Sequence, residues 1–141
     1  MMPTWIIYAV LSALFAALTS IFAKAGLKNV NADLATAIRT AMVLLITWAV
    51  VALKKQGGQM SALTKQNWLF LALSAAATGA SWLFYYRALQ IGNASQVAAI
   101  DKGSLLFTII LAFIFLNEPV TPKVLIGGGL IFIGMLVIVW K

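Results

Sequence analysis

The sequence predicts an all-α membrane protein with five transmembrane helices, and three observations indicate this class. Apolar residues make up 63% of the 141 positions and charged residues only 9%, against about 45–50% and about 25% in soluble domains. The mean hydropathy is +1.02. The apolar residues are gathered in blocks close to the roughly 20 residues that a membrane-spanning helix needs. A chain of this length has too little interior to hide so many apolar side chains, so lipid must serve as their solvent.

Five apolar blocks follow one another, separated by short polar connections. Asn and Asp in the first connection suit the N-cap of the second helix, and all the connections are too short for a parallel return. Ala23-Lys24-Ala25 has the spacing of a signal-peptide cleavage site, but no basic region precedes the block and the block is too long, so we expect it to remain as a span. We treat residues 1–141 as one domain and expect spans at residues 5–27, 34–53, 68–91, 95–116 and 124–140.

The charge is strongly positive, with 10 Lys and Arg residues against 3 acids and a net charge of +7. The cations lie at helix ends and in short connections, which is typical of a chain beside anionic lipid, so we expect no nucleic-acid partner. Cys and His are both absent, which removes disulfides, Cys/His metal sites and His or Cys catalysis. The sequence also lacks G-x-S-x-G and H-E-x-x-H motifs. We therefore expect no enzyme, no metal and no cofactor.

Five spans place the two chain ends on opposite sides of the membrane, here called side A (the N-terminal side) and side B. A tandem duplication of such a unit gives two inverted halves, and a single unit reaches the same symmetry by pairing with an upside-down copy. Small residues let membrane helices approach closely. We therefore expect a homodimer, with Gly127 and Gly134 of the fifth helix at or near the contact.

Charged side chains inside the spans are costly unless they are paired or hydrated, and all of them approach side B. In one interpretation the cations reach the headgroups while Asp101 neutralises Arg87 or Lys102. In the other they line a hydrated, positive vestibule for an anionic or zwitterionic solute. Asp101 is also a candidate proton carrier, as the one acid well within a span. The charged candidates for substrate binding or coupling are Lys24, Arg39, Arg87, Asp101 and Lys102.

Aromatic residues occur in two settings. Trp5, Trp68 and Trp140 fall at span ends, where indole rings favour the headgroup boundary. Trp82 and Tyr86 are four residues apart, so they share one helix face near the level of Arg87. An indole, a phenol and a guanidinium lining one cavity could bind an organic solute; ordinary packing of the two rings between helices is the alternative.

Three stretches of the sequence resemble the EamA domain, the repeat unit of the drug/metabolite transporter superfamily. They are Ala35 to Thr40 (ATAIRT), Tyr86 to Ser95 (YRALQIGNAS) and Leu116 to Pro119 (LNEP), and the resemblance covers nearly the whole chain. It implies a secondary transporter of small organic metabolites that is a five-span, single-unit member, with Glu118 structural in the connection before the fifth helix. The distantly related small multidrug resistance transporters use a glutamate in their first helix, and this chain has no acid there.

The expected function is therefore transport of a small anionic or zwitterionic metabolite across the cell membrane, a prokaryotic plasma membrane, by a homodimer. Proton coupling is a further candidate property, and an accessory subunit that only stabilises a larger complex is the alternative. Side A carries Lys54, Lys55, Lys65 and Lys123, and side B carries Lys28 and Lys141 plus the embedded cations. The sign of this bias depends on whether the embedded cations are counted. One interpretation is a parallel dimer with a modest preference for Lys54 and Lys55 inside the cell, and the other is dual topology with an antiparallel dimer. We favour the second, because an antiparallel pair recreates the inverted halves of ten-span transporters.

Overall fold

The computed structural model describes residues 3–140, and the regular structure in this range is entirely helical. Five segments are long and apolar enough to cross a membrane, and α4 and α5 together form the fourth of them. The prediction of five membrane-spanning helices is confirmed, and the helices begin and end within a few residues of the expected bounds. Lys141, counted above among the side B cations, lies outside the described residues. The helices are α1 (Thr4–Gly26), α2 (Ala32–Leu53), α3 (Lys65–Ile91), α4 (Ala94–Asp101), α5 (Ser104–Leu116) and α6 (Pro122–Val139), and a short 3-10 helix (Gly57–Ala62) lies between α2 and α3.

The chain divides into two compact units, one formed by Phe22–Gln90 and the other by the segments before and after it. In the Phe22–Gln90 unit, the buried residues come from the end of α1, the connection after it, the start of α2 and the end of α3. All of these places lie on side B. The large apolar side chains along the rest of α2 and α3 are exposed, as expected for helices surrounded by lipid. The buried residues of this unit are Ala23, Leu27, Ala32, Thr36, Tyr86 and Leu89.

Helix α2 begins with an N-cap, as the first connection predicted. The Asn31 side-chain oxygen accepts hydrogen bonds from the backbone N–H groups of Asp33 (2.9 Å) and Leu34 (3.1 Å). These donors have no partner within the helix, so the cap satisfies them. Asp33 lies in the first turn, where a carboxylate interacts favourably with the helix dipole.

The fourth span is interrupted at Lys102 and Gly103, whereas the sequence predicts a continuous helix there. The Gly103 N–H donates to the carbonyl of Ile100 at 2.8 Å, which closes a tight turn. Helix α6 approaches this turn closely: a Cβ atom on Gly103 would lie 2.9 Å from the Ile100 oxygen and 3.0 Å from the sulfur of Met135. The turn and the close approach of Met135 therefore require glycine.

Replacing Gly103 with alanine is expected to lower the free energy of unfolding by about 1–3 kcal/mol, the usual effect of overpacking a filled site. Gly129→Ala is the matched control, because a Cβ atom at Gly129 meets nothing within 4 Å. Thermal unfolding of the two variants in the same detergent measures the difference. Equal melting temperatures would show that the turn relaxes around the methyl group.

The Leu116 to Pro119 motif forms the turn that ends α5. Asn117 has φ 53° and forms the C-cap of α5. The Glu118 N–H donates to the carbonyl of Ala112 at 3.3 Å, and the Glu118 side chain is exposed. Asparagine tolerates this left-handed conformation better than most residues. The motif thus places the start of α6, whose N-cap is Thr121.

Candidate functional site

The side B end of the Phe22–Gln90 unit gathers most of its charged side chains. The chain crosses the membrane in alternate directions, so the end of α1, the start of α2 and the end of α3 come to the same side. Lys24 lies at the end of α1, Arg39 in the first half of α2 and Arg87 near the end of α3. This end of the unit is the candidate functional site.

Arg87 forms a two-pronged ion pair with Asp33. Its Nε atom donates to Oδ1 at 2.9 Å, and its Nη2 atom donates to Oδ2 at 2.8 Å. This fork-to-fork geometry is the strongest form of an arginine–carboxylate contact. The side chains of Arg87 and Asp33 are 57% and 47% exposed. The pair neutralises Arg87, so this cation is engaged by Asp33 and not by Asp101.

The guanidinium of Arg39 stacks on the aromatic pair. Its central carbon lies 4.2 Å from the centre of the Trp82 ring and 5.7 Å from that of Tyr86. The sequence predicted that Trp82 and Tyr86 share a face beside a guanidinium, and the structure shows that this guanidinium comes from α2 and not from Arg87. The Nη1 atom of Arg39 is buried, and no residue in the described range accepts a hydrogen bond from it.

Lys24 binds the end of α3. Its Nζ atom donates to the carbonyl of Leu89 and lies 3.5 Å from that of Gln90. The last carbonyls of a helix lack partners within it and carry a partial negative charge, so a cation is favourable there. The Gln90 side-chain amide donates to the carbonyl of Val30 at 2.9 Å. The end of α3 is thus linked to α1 and to the connection that follows it.

An open cavity of about 350 Å³ lies beside these contacts. Its lining includes two lysines and one amide, so an anion entering it would meet positive charge. The lining residues are Lys24, Ala25, Leu27, Lys28 and Gln90.

Asp101 and Lys102 belong to the other unit, where they end α4 at the interruption of the fourth span. The Lys102 Nζ atom lies 3.4 Å from Oδ2 of Asp101, and the Asp101 side chain is 39% exposed. Lys102 is thus the observed partner of this carboxylate.

The glycines of α6 divide into two sets. A Cβ atom on Gly128 would lie 3.2 Å from Ile109 of α5, so Gly128 allows these two helices to pack. At Gly127, Gly129 and Gly134, a Cβ atom would meet nothing within 4 Å. Gly127 and Gly134 are seven residues apart, so they share one face of α6, which is open at both positions.

Sequence reasoning missed Asp33, Lys28 and Gln90 as parts of this site. The sequence pattern indicates only a capping role for Asp33. A charge count by membrane side would have indicated it, because the chain has 3 acids and Asp33 begins a span on the side where Arg87 ends one.

The profile of the EamA-like transporter family matches residues 3–140. The chain belongs to this family. A protein of Sinorhizobium sp. with the name "Uncharacterized transporter in cobO 3'region" is 44% identical over 138 residues, which is 98% of each chain. No solved structure matches the sequence. This EamA protein is therefore a multi-pass membrane transporter, and its family and the name of its relative point to transport rather than to catalysis.

Proposed function

We propose that this EamA protein is a secondary transporter that moves a small anionic or zwitterionic organic metabolite across a prokaryotic plasma membrane. The site at side B supports this proposal. It contains Lys24, Lys28, Arg39 and Arg87, and its acid is Asp33, which pairs with Arg87. The net charge of this cluster is therefore positive. A positive, partly hydrated site within helix ends attracts anions and disfavours cations.

Uptake by proteoliposomes that contain only the purified protein tests the proposal. Labelled organic acids, amino acids and organic cations are compared, each with counterflow from preloaded vesicles. We expect the protein to accelerate uptake of one or more of the anions or zwitterions. Transport of cations alone would contradict the assigned substrate class. A complete lack of transport would favour an accessory subunit of a larger complex.

We also propose that two copies form an antiparallel homodimer, which reproduces the inverted halves of ten-span relatives. The open face of α6 at Gly127 and Gly134 supports this arrangement, because small residues allow a second helix to approach.

Gly134→Leu is expected to weaken the dimer while leaving the protomer folded, since the new side chain points into open space within the chain. Gly129→Leu is the control: it adds the same side chain to the same helix, about 140° around the axis from Gly134 at 100° per residue. Dimer fractions are measured by cross-linking or single-molecule counting in lipid bilayers. An unchanged dimer fraction for Gly134→Leu would place the interface elsewhere.

Dual topology predicts that both sides of the protein are reached from outside the cell. The chain has no native cysteine, so single cysteines at Gly57 and Asn29 report on sides A and B. Both positions are exposed. An impermeant thiol reagent added to intact cells is expected to label each position in part. Full labelling of one position with complete protection of the other would mean a single orientation and a parallel dimer.

We also propose that Asp101 couples transport to the movement of protons. Its carboxylate ends a half-helix inside a span, which is where secondary transporters place coupling-ion sites.

A further inference from the structure

The three cations that the spans contribute to the side B site differ in how their charge is used. Arg87 is neutralised by the two-pronged pair with Asp33. Lys24 donates to the carbonyl at the end of α3. Arg39 faces aromatic rings instead of an acid or a carbonyl. Arg39 is therefore the cation whose charge and donors are least used by the described protein.

Arg39 also lies deepest of the three. It follows Ala32, the first residue of α2, by seven positions, or about 10 Å at a rise of about 1.5 Å per residue. A guanidinium at this depth is costly unless something stabilises it. The Trp82 ring stabilises the charge through its π face, but this contact uses none of the N–H donors. The neighbouring hydroxyls of Thr36 and Thr40 donate to carbonyls of their own helix.

We propose that Arg39 is the carboxylate-binding residue of the transport site. Trp82 and Tyr86 act as positioning residues that cover one face of its guanidinium and leave the donor edge for the solute. A guanidinium binds a carboxylate through two parallel N–H···O bonds in its own plane, so stacking on one face and binding at the edge are compatible. This assignment rests on the proposed transport function and identifies the anionic group of its substrate.

A lipid phosphate offers a similar oxyanion, but it resides at the headgroup level. The depth of Arg39 favours a solute that leaves the aqueous phase and enters the site, and its Nη1 atom has no acceptor among the described residues. A carboxylate also matches the single positive charge of this guanidinium, since Arg87 is already paired.

Fluorescence of Trp82 tests the assignment directly, because this indole touches the proposed binding residue. In the reporter protein the other four tryptophans are replaced by phenylalanine, at Trp5, Trp48, Trp68 and Trp140. The reporter, in neutral detergent, is titrated with acetate, succinate and glutamate at constant ionic strength, and with sodium chloride alone. We expect a saturable fluorescence change with at least one carboxylate.

Arg39→Gln in the reporter is expected to lower carboxylate affinity by about tenfold or more, as the loss of charge-assisted hydrogen bonds predicts. Arg39→Lys keeps the charge but lacks the planar guanidinium, so it is expected to bind carboxylates more weakly than the parent reporter. If Arg39→Gln does not fold, the affinity of Arg39→Lys is compared with that of the parent reporter instead. Lys123→Gln removes an exposed cation on side A and serves as the control with unchanged affinity.

Three results would overturn the assignment: no saturable response to any carboxylate, an equal response in Arg39→Gln and the parent reporter, or a response to phosphatidylglycerol in place of the carboxylates. Transport separates this inference from the proposed function. Carboxylate binding that depends on Arg39, without uptake by vesicles, supports the site and contradicts transport. Uptake that Arg39→Gln leaves unchanged supports transport and contradicts the site.

Discussion

Asp33→Asn is expected to lower the melting temperature by several degrees and to reduce transport strongly, although the side chain keeps its shape. The substitution removes the charge that the Arg87 guanidinium contacts through bonds of 2.9 and 2.8 Å. Arg87 then remains as an uncompensated cation within a span, which is unfavourable in a membrane. Thermal unfolding in detergent and uptake by proteoliposomes measure the two effects.

The charge-reversed pair, Asp33→Arg with Arg87→Asp, separates pairing from simple loss of an acid. Each single reversal is expected to be worse than Asp33→Asn, because it places like charges together, and the double variant is expected to recover part of the loss. Glu118→Gln is the control, since its side chain is exposed in the connection before α6. An effect of Asp33→Asn no larger than that of Glu118→Gln would show that the pair contributes nothing to stability or transport.

The large effect expected for Asp33→Asn follows from the segments that the Asp33–Arg87 pair joins. Asp33 begins α2 and Arg87 lies near the end of α3, where Gln90 and Lys24 also make contacts that cross between segments. These polar links join the segments of the Phe22–Gln90 unit at side B. In the proposed function the solute passes this end of the helices, so a change in the links is expected to alter the rate more than a change on a lipid-facing surface.

The spans were predictable because their signal is compositional. So many apolar side chains in 141 residues leave lipid as the only sufficient solvent, and the Asn31 cap follows a local rule. The interruption at Lys102 and Gly103 was not predictable from hydropathy, because the polar stretch from Asp101 to Ser104 is short and the whole block still has the length of one span. Its cause includes the approach of Met135 from α6, a contact distant in sequence.

Part of the geometry of the candidate site was predictable from the sequence, but the partners of its side chains were not. Helical spacing correctly placed Trp82 and Tyr86 on one face. The next residue, Arg87, lies about 100° further around the same helix, so it is directed to Asp33 while Arg39 of α2 meets the rings. Helical periodicity predicts which residues share a face of one helix. Which side chains of α2 meet those of α3 depends on how each helix is rotated about its axis and how deep it lies in the membrane.

Asp101→Asn is expected to abolish the response of transport to a pH gradient while substrate exchange continues. The carboxylate is partly exposed and lies 3.4 Å from the Lys102 ammonium, at the point where the fourth span turns. A carboxylate can take up and release a proton during the transport cycle, whereas an amide cannot. Uptake with and without an imposed gradient, together with counterflow at equal pH, measures the two activities.

Lys102→Gln distinguishes a proton carrier from a structural counter-ion. If Asp101 carries the proton, this variant keeps its response to the gradient, because the carboxylate remains. If the carboxylate only balances the ammonium, both variants lose stability in the same way, and the uptake that remains in Asp101→Asn still responds to the gradient. That last result, in a variant shown to be folded, would contradict coupling through Asp101 and leave it as the partner of Lys102.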